Sequence, residues 1–344
     1  MDKGLKINYS IIEGDEASKV VKEKLANIGT ISIYHTIEKL YTDLGFKLVV
    51  FEESNNTLLA IPLRFAKLWK LIKVVTSYYP SIPFIGPIYT HNYIHSKISR
   101  KYEIINSVTR IILRNLKADL VYLTLHPEHN DVRPFMWSGW HTRVTYTYVL
   151  NDLSKYENIE KVLKFLRKRR RNEYRSAVKA GVEFSQTTLS KISDQAIKML
   201  ESLFLAKGQS RKDVDRIISA IKKLCNDIDK ISVTYVALLK GRILGFETFV
   251  VDHYRGLAIR QYAAYRRGII RGTSTFLLIQ SLHNIYNTMG DSINKVLLLA
   301  APVRQLAEFM DDFADEVYPY FTVYCGKGLF NKLIKIKTPP FHKI

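Results

Sequence analysis

The most constraining feature of the sequence is a run of three predicted strands, followed by a helix and then by a further strand. Three apolar, β-branched segments make up the run: Ser232–Leu239, 242–251 and 256–264. A Lys240-Gly241 turn joins the first two. A helix is predicted over 193–226, before this run. After the run, a helix is predicted over Thr273–Met289, ending at Gly290, and a strand over 295–300. This order predicts an antiparallel meander crossed by a helix, which belongs to the α/β class (α+β in some schemes).

A similar order occurs earlier in the chain. The predicted elements there are a helix over 32–45, strands over Phe46–Glu53 and 57–65, a helix over 95–116 and a strand over 120–125. The chain of 344 residues suits two domains. The sequence therefore predicts one α/β unit used twice, with an abbreviated N-terminal domain over 1–141 and a second domain over 142–344.

The charge is strongly positive and the cysteines are few. A net charge of +20 attracts RNA, DNA, anionic lipid and nucleotide cofactors without choosing among them. Cys225 and Cys325 form no zinc or disulfide framework, and the histidines fit no metal-ligand spacing, so we expect a reducing compartment and no metal. Without a signal-peptide pattern or an apolar membrane span, the predicted location is cytoplasmic.

Five local stretches carry a resemblance to known proteins. In chain order they are IYHTIEKLYTDLGFK (33–47), LLAIPLRF (58–65), PFIGPIY (83–89), DVRPFMWSGWHTRVTYTYVLNDL (131–153) and LRKRRRNEYRSAVKAGVEF (166–184). Together with the element order they resemble the GNAT superfamily, in the fused, two-copy form of the Fem-type aminoacyltransferases of peptidoglycan bridges and their acetyltransferase relatives. The resemblance implies an acyltransferase with two GNAT-like domains, whose mixed, mostly antiparallel sheets are flanked by helices.

The basic stretch that begins at Leu166 lies on a predicted helix over 159–180. Residues 155–181 carry ten Lys or Arg and three Asp or Glu. Arg167, Arg171 and Arg175 recur every four residues and share one stripe. Three interpretations stay open: a solvated helix face, a nucleic-acid patch, or a wall that binds an anionic acceptor. The resemblance implies the third, with these arginines near the acceptor's phosphate groups. No DNA-binding module is predicted.

A glycine-containing loop precedes the helix Thr273–Met289. The resemblance implies that the donor, acetyl-CoA or another acyl-CoA, places its pyrophosphate at the start of this helix, where free N–H groups and the helix dipole favour an anion. Five residues are the corresponding candidates: Arg267, Gly268, Arg271, Gly272 and Thr273. The Gly-x-x-x-Gly spacing departs from the superfamily's loop, and an ordinary basic turn is the alternative.

The catalytic candidates lie on the predicted strands of the meander. Glu247 sits in the apolar segment ILGFETFVV, where a carboxylate is costly unless it is paired or functional. It is predicted to be a general base, with a structural ion pair as the alternative. Tyr262 and Tyr265 are candidates to donate a proton or to line the site, and Gln261 to orient the acceptor.

One residue departs from the Fem-type pattern. Met310 stands where the resemblance implies a lysine near the reacting groups, and Arg304 and Lys327 are candidates to replace its charge. We therefore expect an acyl-CoA-dependent N-acyltransferase acting on an amine of a phosphate-bearing acceptor, either a nucleotide sugar or a lipid-linked sugar. The basic, aromatic stretch RFAKLWKLIKVVTSYY is a candidate for peripheral membrane contact. An aminoacyl-tRNA-dependent transferase and a non-catalytic RNA-binding or partner-binding scaffold are the alternatives.

Overall fold

The computed structural model describes residues 5–68, 71–80, 82–129, 131–266, 268–299, 304–328 and 330–331. The strands within these residues are β1 (Asn8–Ile12), β2 (Phe46–Glu53), β3 (Asn56–Leu68), β4 (Ile72–Thr76), β5 (Ile88–Tyr89), β6 (Leu120–Thr124), β7 (His141–Leu150), β8 (Glu183–Thr187), β9 (Ser232–Leu239), β10 (Arg242–Asp252), β11 (Leu257–Tyr265), β12 (Lys295–Leu297) and β13 (Glu316–Gly326).

The α-helices within the same residues are α1 (Gly14–Lys19), α2 (Ala26–Ile28), α3 (Lys39–Thr42), α4 (His91–Ile94), α5 (Ile98–Arg110), α6 (Arg133–Trp137), α7 (Ile159–Phe165), α8 (Lys168–Lys179), α9 (Ser193–Ala206), α10 (Arg211–Asp229), α11 (Thr273–Met289) and α12 (Arg304–Asp311). Wider π-helical turns extend α1 and α5 over Val20–Leu25 and Ile111–Asn115, and 3₁₀ turns lie at Ile33–Thr36 and Leu153–Tyr156.

Residue contacts divide the chain into two units. The first comprises Met1–Thr145 together with the chain from Pro319, and the second comprises Tyr146–Tyr318. The contacts therefore group most of β13 with the first unit, whereas the domains predicted from the sequence, 1–141 and 142–344, group it with the second. Contact units and independently folding domains are different properties, so those domain boundaries stay a prediction.

Both units pair their strands in the same pattern. In the first unit the order is β1-β2-β3-β4-β6-β13, and in the second it is β8-β9-β10-β11-β12-β7. Three antiparallel pairs come first in each unit, then one parallel pair (β4 with β6, β11 with β12), then a final antiparallel pair. This confirms the predicted fold class and the repeated unit.

Each unit has its own apolar core beneath its sheet. In the second unit α11 buries nine of its seventeen residues, among them Phe276, Leu278 and Leu282. In the first unit α5 is amphipathic and turns Ile105 and Val108 toward the core. In both units this helix connects the two parallel strands, and parallel strands require such a crossover.

Two long predicted helices are each broken into two. The helix predicted over 159–180 is α7 and α8, because Leu166 and Arg167 adopt extended backbone angles and Arg167 begins a new helix. The helix predicted over 193–226 is α9 and α10, separated near Gly208, whose φ of +78° suits glycine. The helix predicted over 32–45 reduces to a 3₁₀ turn and α3, because Ile37 is extended.

Candidate functional site

The candidate site of the second unit lies where two parallel strands part. Within the described residues, the ladder between β11 and β12 covers only Leu257–Ile259 and Lys295–Leu297. Beyond it, the Leu298 N–H donates to the Tyr148 carbonyl of β7 at 2.8 Å. A cavity of about 380 Å³ lies beside the remainder of β11. Residues of β11, α9 and α12 line it, and most of those from the two helices are apolar.

A buried trio of polar side chains lies at this cavity. Glu247 on β10 is fully buried, and its Oε1 accepts a hydrogen bond from Arg260 Nη2 at 2.6 Å. Arg260 Nη2 also donates to the Tyr265 hydroxyl at 2.6 Å, and that hydroxyl donates to Glu247 Oε1. Arg260 and Tyr265 line the cavity. The three groups thus share hydrogen bonds in a buried site, but Glu247 Oε2 and Arg260 Nε have no hydrogen-bond partner among the described residues.

A β-bulge brings Arg260 and Tyr265 to the same side of β11. The two residues are five positions apart, and an odd separation places side chains on opposite faces of a regular strand. The register shifts here: Thr248 pairs with Tyr262, but Phe249 pairs with Arg260, which leaves Gln261 as the extra residue. The bulge thus shifts the alternation of side chains along β11 by one residue, so that Arg260 and Tyr265 point to the same face.

Gly245 makes room for the Tyr265 ring. These residues face each other across β10 and β11. A Cβ atom at position 245 would lie 2.5 Å from Tyr265 Cδ1, far inside van der Waals contact. The missing side chain on β10 therefore lets the ring lie across that strand, and its hydroxyl reaches Glu247.

The trio's electrostatics keep Arg260 charged and Tyr265 protonated. Burial alone opposes the charge of Arg260, but the neighbouring Glu247 carboxylate outweighs it and raises the arginine's pKa. Burial raises the pKa of the Tyr265 hydroxyl well above its usual range, although Arg260 acts in the opposite direction. Tyr265 is therefore a hydrogen-bond donor at neutral pH. Glu247 is engaged in an ion pair, the alternative weighed for it from the sequence, and its general-base role stays a prediction.

Arg260 also supplies the positive charge beside Met310. Its Nη1 lies 3.9 Å from Met310 Sδ. Arg304, one sequence-based candidate for this charge, is 90% exposed and pairs with Glu308 at 2.7 Å. Lys327, the other, is exposed and belongs to the first unit. Among the described residues, the cation that contacts position 310 is thus Arg260 of β11, and the roles of Arg304 and Lys327 stay predictions.

The sequence contains a signal for Arg260, which is not among the residues predicted above. Glu247 and Arg260 are each the single charged residue within the apolar interior of neighbouring predicted strands. Because a buried carboxylate needs a partner, the opposite charge on the adjacent strand was the natural candidate. Gln261 and Tyr262 also line the cavity, as a site role requires, and Tyr262 is buried.

The basic helix α8 is anchored through a buried arginine outside the predicted stripe. Arg170 is 5% exposed; its Nη1 donates to Glu173 Oε2 and its Nε to Asp312 Oδ2, both at 2.7 Å. The Glu173 carboxylate also accepts from the Thr275 hydroxyl of α11 at 2.8 Å. The Arg170 guanidinium carbon lies 4.6 Å from the ring centroid of Phe309, a residue that lines the cavity.

The three arginines predicted to bind the acceptor have different surroundings. Arg167 is mostly exposed, and its Nε lies 3.0 Å from Asp312 Oδ1. Arg171 Nη1 donates to the Leu166 carbonyl at 3.1 Å, which ties the helix to the preceding turn. Arg175 is exposed and makes no ion pair among the described residues. Their role in binding an acceptor stays a prediction.

The predicted donor loop leads into α11. Gly268 has a φ of +76°, Arg271 is exposed, and the Thr273 hydroxyl donates to the Ile270 carbonyl at 3.0 Å. Gly272 has a φ of +88°, and a Cβ there would lie 2.0 Å from the Glu173 carbonyl oxygen. The close approach of α8 thus gives Gly272 a packing role. Arg267 lies outside the described residues, and donor binding by this loop stays a prediction.

A second cavity of about 570 Å³ shares Leu203 and Tyr265 with the first. Lys198 of α9 and Arg266, at the end of β11, line it. Among the described residues neither side chain forms an ion pair. This cavity therefore offers two cationic groups beside the trio.

Two further sequence-based expectations concern membranes and metals. Phe65 and Leu71 lie on the β3–β4 hairpin and are 39% and 84% exposed. No helix in the described part of the chain combines the length and the apolar character needed to cross a membrane. No group of three or more His, Cys, Asp or Glu residues in that part is arranged to hold a metal ion. Peripheral membrane contact stays a prediction.

Comparisons with known proteins support the fold. No family model and no curated protein matches the chain. Among solved structures, FemX is 10% identical with a TM-score of 0.58, over 96% of this chain and 99% of that one. A tandem GNAT protein from the clavulanic acid biosynthesis pathway is 12% identical, with a TM-score of 0.57 over 94% and 99%. L-PGS from Bacillus licheniformis is 13% identical, with a TM-score of 0.56 over 95% and 98%.

Identities this low carry the fold alone. The chain has the class of fold that the repeated strand order defines, a tandem GNAT-like fold, and the predicted resemblance is confirmed at that level.

Proposed function

We propose that the chain is an acyl-group transferase that moves an acyl or aminoacyl group from an activated donor to an amine. The observation that carries the proposal is the parting of β11 from β12, with a buried Glu247–Arg260–Tyr265 trio at the resulting cavity. A cavity of this kind accepts an apolar acyl chain and presents fixed donors to its carbonyl group. The structural similarity to the tandem GNAT protein, FemX and L-PGS supports this class of chemistry.

An acyl-CoA, with acetyl-CoA as the first candidate, is the proposed donor. The start of α11 offers free backbone N–H groups to a pyrophosphate, and Gly268 and Arg271 precede it in the loop. The apolar cavity next to β11 suits a thioester and its acyl group. This assignment extends to Arg267 and Thr273, which belong to the same loop sequence.

The proposed acceptor is an amine on a phosphate-bearing molecule, either a nucleotide sugar or a lipid-linked sugar. Lys198 and Arg266 at the second cavity are cations without ion-pair partners among the described residues. Arg175, with Arg167 and Arg171 on the same helix, offers further guanidinium groups, which bind phosphate oxygens in pairs. Gln261 lines the first cavity and is the proposed group that orients the amine.

An aminoacyl-tRNA donor is the second candidate, and the net charge of +20 favours it. Neutralising many phosphates makes binding fall steeply with salt concentration. A CoA ester carries few charges, so its binding should depend on salt much less. Salt dependence therefore separates the two donors.

The first experiment is a thermal-shift titration with acetyl-CoA at low and moderate salt, with ATP as a control ligand that lacks the pantetheine arm. A donor that binds only the folded protein stabilises it by about 2.7 kcal/mol at a concentration of 100 Kd. We expect a saturable shift that survives moderate salt and weakens in Arg271→Glu. The matched control is Arg114→Glu, which removes an exposed arginine of the first unit.

Transfer is then measured as thiol release from acetyl-CoA in the presence of amino-sugar nucleotides. Release that depends on the amine supports the proposed reaction. An absent shift with acetyl-CoA would contradict the CoA donor, and a shift with aminoacyl-tRNA that salt abolishes would support the second candidate. If neither donor binds and no transfer occurs, the chain is a GNAT-like scaffold without this chemistry.

A further inference from the structure

We propose that Arg260 is a catalytic residue: its Nη1 group stabilises the negative charge that forms on the acyl carbonyl oxygen during transfer. The inference rests on the proposed function, and it holds for a thioester and for an aminoacyl ester alike. The cation that stabilises this negative charge is thus supplied by β11.

Arg260 has a hydrogen-bond donor that its partners in the trio do not use. Nη2 is occupied by Glu247 and Tyr265, each at 2.6 Å. Among the described residues the one acceptor within reach of Nη1 is the Met310 thioether at 3.9 Å, and a thioether is a weak acceptor. Arg260 and Met310 both line the cavity. A buried guanidinium N–H that faces an apolar cavity is therefore available to a better acceptor, such as a carbonyl oxygen.

The positive charge of Arg260 is also preorganised. Arg260 is 6% exposed and Glu247 is fully buried, so the pair is shielded from water. The carboxylate and the Tyr265 hydroxyl hold the guanidinium at a fixed position before any substrate arrives. Fixed donors in a site of low dielectric stabilise developing charge without reorganising, which is the basis of oxyanion stabilisation.

The proposed step conserves atoms and electrons. The amine lone pair forms the new C–N bond, and the carbonyl π electrons move to oxygen, where Arg260 Nη1 donates a hydrogen bond. When the C=O bond re-forms, the bond from carbon to the leaving sulfur or oxygen breaks, and that atom keeps the electron pair. The ammonium nitrogen releases its proton to water, and the leaving group takes one from water.

The test uses substitutions that do not leave the buried Glu247 carboxylate without its partner. Removing Arg260 alone would strand the Glu247 carboxylate, which is strongly destabilising. The reference is therefore Glu247→Gln, which keeps Arg260, and the test variant is Glu247→Gln with Arg260→Met, which removes both charges. We expect kcat to fall by about 100-fold or more between the two, as for the loss of one oxyanion donor. The dissociation constant for the donor should stay unchanged.

A third substitution examines the position of the charge. Because Met310 Sδ lies 3.9 Å from Nη1, Met310→Lys in the double variant places an ammonium group near the same point. We expect it to restore part of the lost kcat. Arg114→Met, at an exposed position of the first unit, is the matched control and should leave kcat unchanged.

The outcomes separate this inference from the proposed function. Equal kcat for the reference and the test variant, with both folded by thermal melting, would refute the role of Arg260 and leave the transferase intact. A loss confined to donor affinity would also refute it, since it would assign Arg260 to ground-state binding. A folded wild-type protein without transfer to any amine would overturn the proposed function and this inference with it.

Discussion

Replacing Arg170 by Met should destabilise the second unit far more than the same change at Arg175. Arg170 is buried and contacts the carboxylates of Glu173 and Asp312, both at 2.7 Å. Methionine keeps much of the hydrocarbon packing against Phe309 but leaves two buried carboxylates without this partner. Breaking a buried pair in this way costs about 3–5 kcal/mol.

Arg175→Met is the matched control, because it removes the same charge from the same helix at an exposed position. Exposed substitutions of this kind change stability by about 0.5 kcal/mol or less. The two variants have equal net charge, so general self-repulsion does not distinguish them.

The assay is urea unfolding followed by far-UV circular dichroism. With an m-value of about 3 kcal/mol/M, the midpoint for Arg170→Met should fall by about 1–2 M, while that for Arg175→Met should not move measurably. Neutralising the stranded acids, with Glu173→Gln and Asp312→Asn added to Arg170→Met, should recover part of the loss. Equal midpoints for the two single variants would refute the reasoning. They would favour the alternative interpretation of α8 as a solvated helix face.

Three further predictions concern pH, packing and membranes. Burial opposes ionisation of Glu173, but hydrogen bonds from Thr275 and arginine outweigh it and lower its pKa; the stabilisation is therefore present above the unfolded-state pKa and is lost on acidification. Glu173→Gln should make the unfolding free energy less sensitive to pH below about 4, measured by urea titrations at several pH values. Gly245→Ala should displace the Tyr265 ring and lower kcat, with thermal melting as the check on folding. Leu71→Glu should reduce flotation with anionic phosphatidylglycerol vesicles, and phosphatidylcholine vesicles are the control.

The sequence predicts well those strands and helices whose ends are determined by neighbouring residues. The bounds of β2, β9 and α11 match the prediction because apolar, β-branched or helical runs end there at clear turn signals. The β9–β10 turn is an example: Lys240 and Gly241 both have positive φ, +48° and +73°, as a tight hairpin requires. Such features depend on neighbouring residues alone.

The candidate site depends on features that a single sequence does not encode locally. The bulge that turns Arg260 and Tyr265 to one side is a property of the ladder between β10 and β11. Likewise, Arg170 meets Asp312 142 positions later in the chain, and no periodicity within α8 predicts that contact. Glu247 stands out in the sequence as a charged residue in an apolar strand, but its partner and the role of Gly245 depend on the register between β10 and β11.

The arginines of the basic helix α8 differ in what they do. Arg170 faces inward, neutralises buried acids and stacks on Phe309, whereas Arg175 on the same helix is exposed. The helix α12 brings Phe309 and Met310 to the cavity, and each of these residues contacts a buried arginine, Arg170 in one case and Arg260 in the other. One wall of the cavity is thus positioned by two separate ion-pair clusters. Because both clusters are buried, their geometry should persist at salt concentrations that screen the exposed arginines.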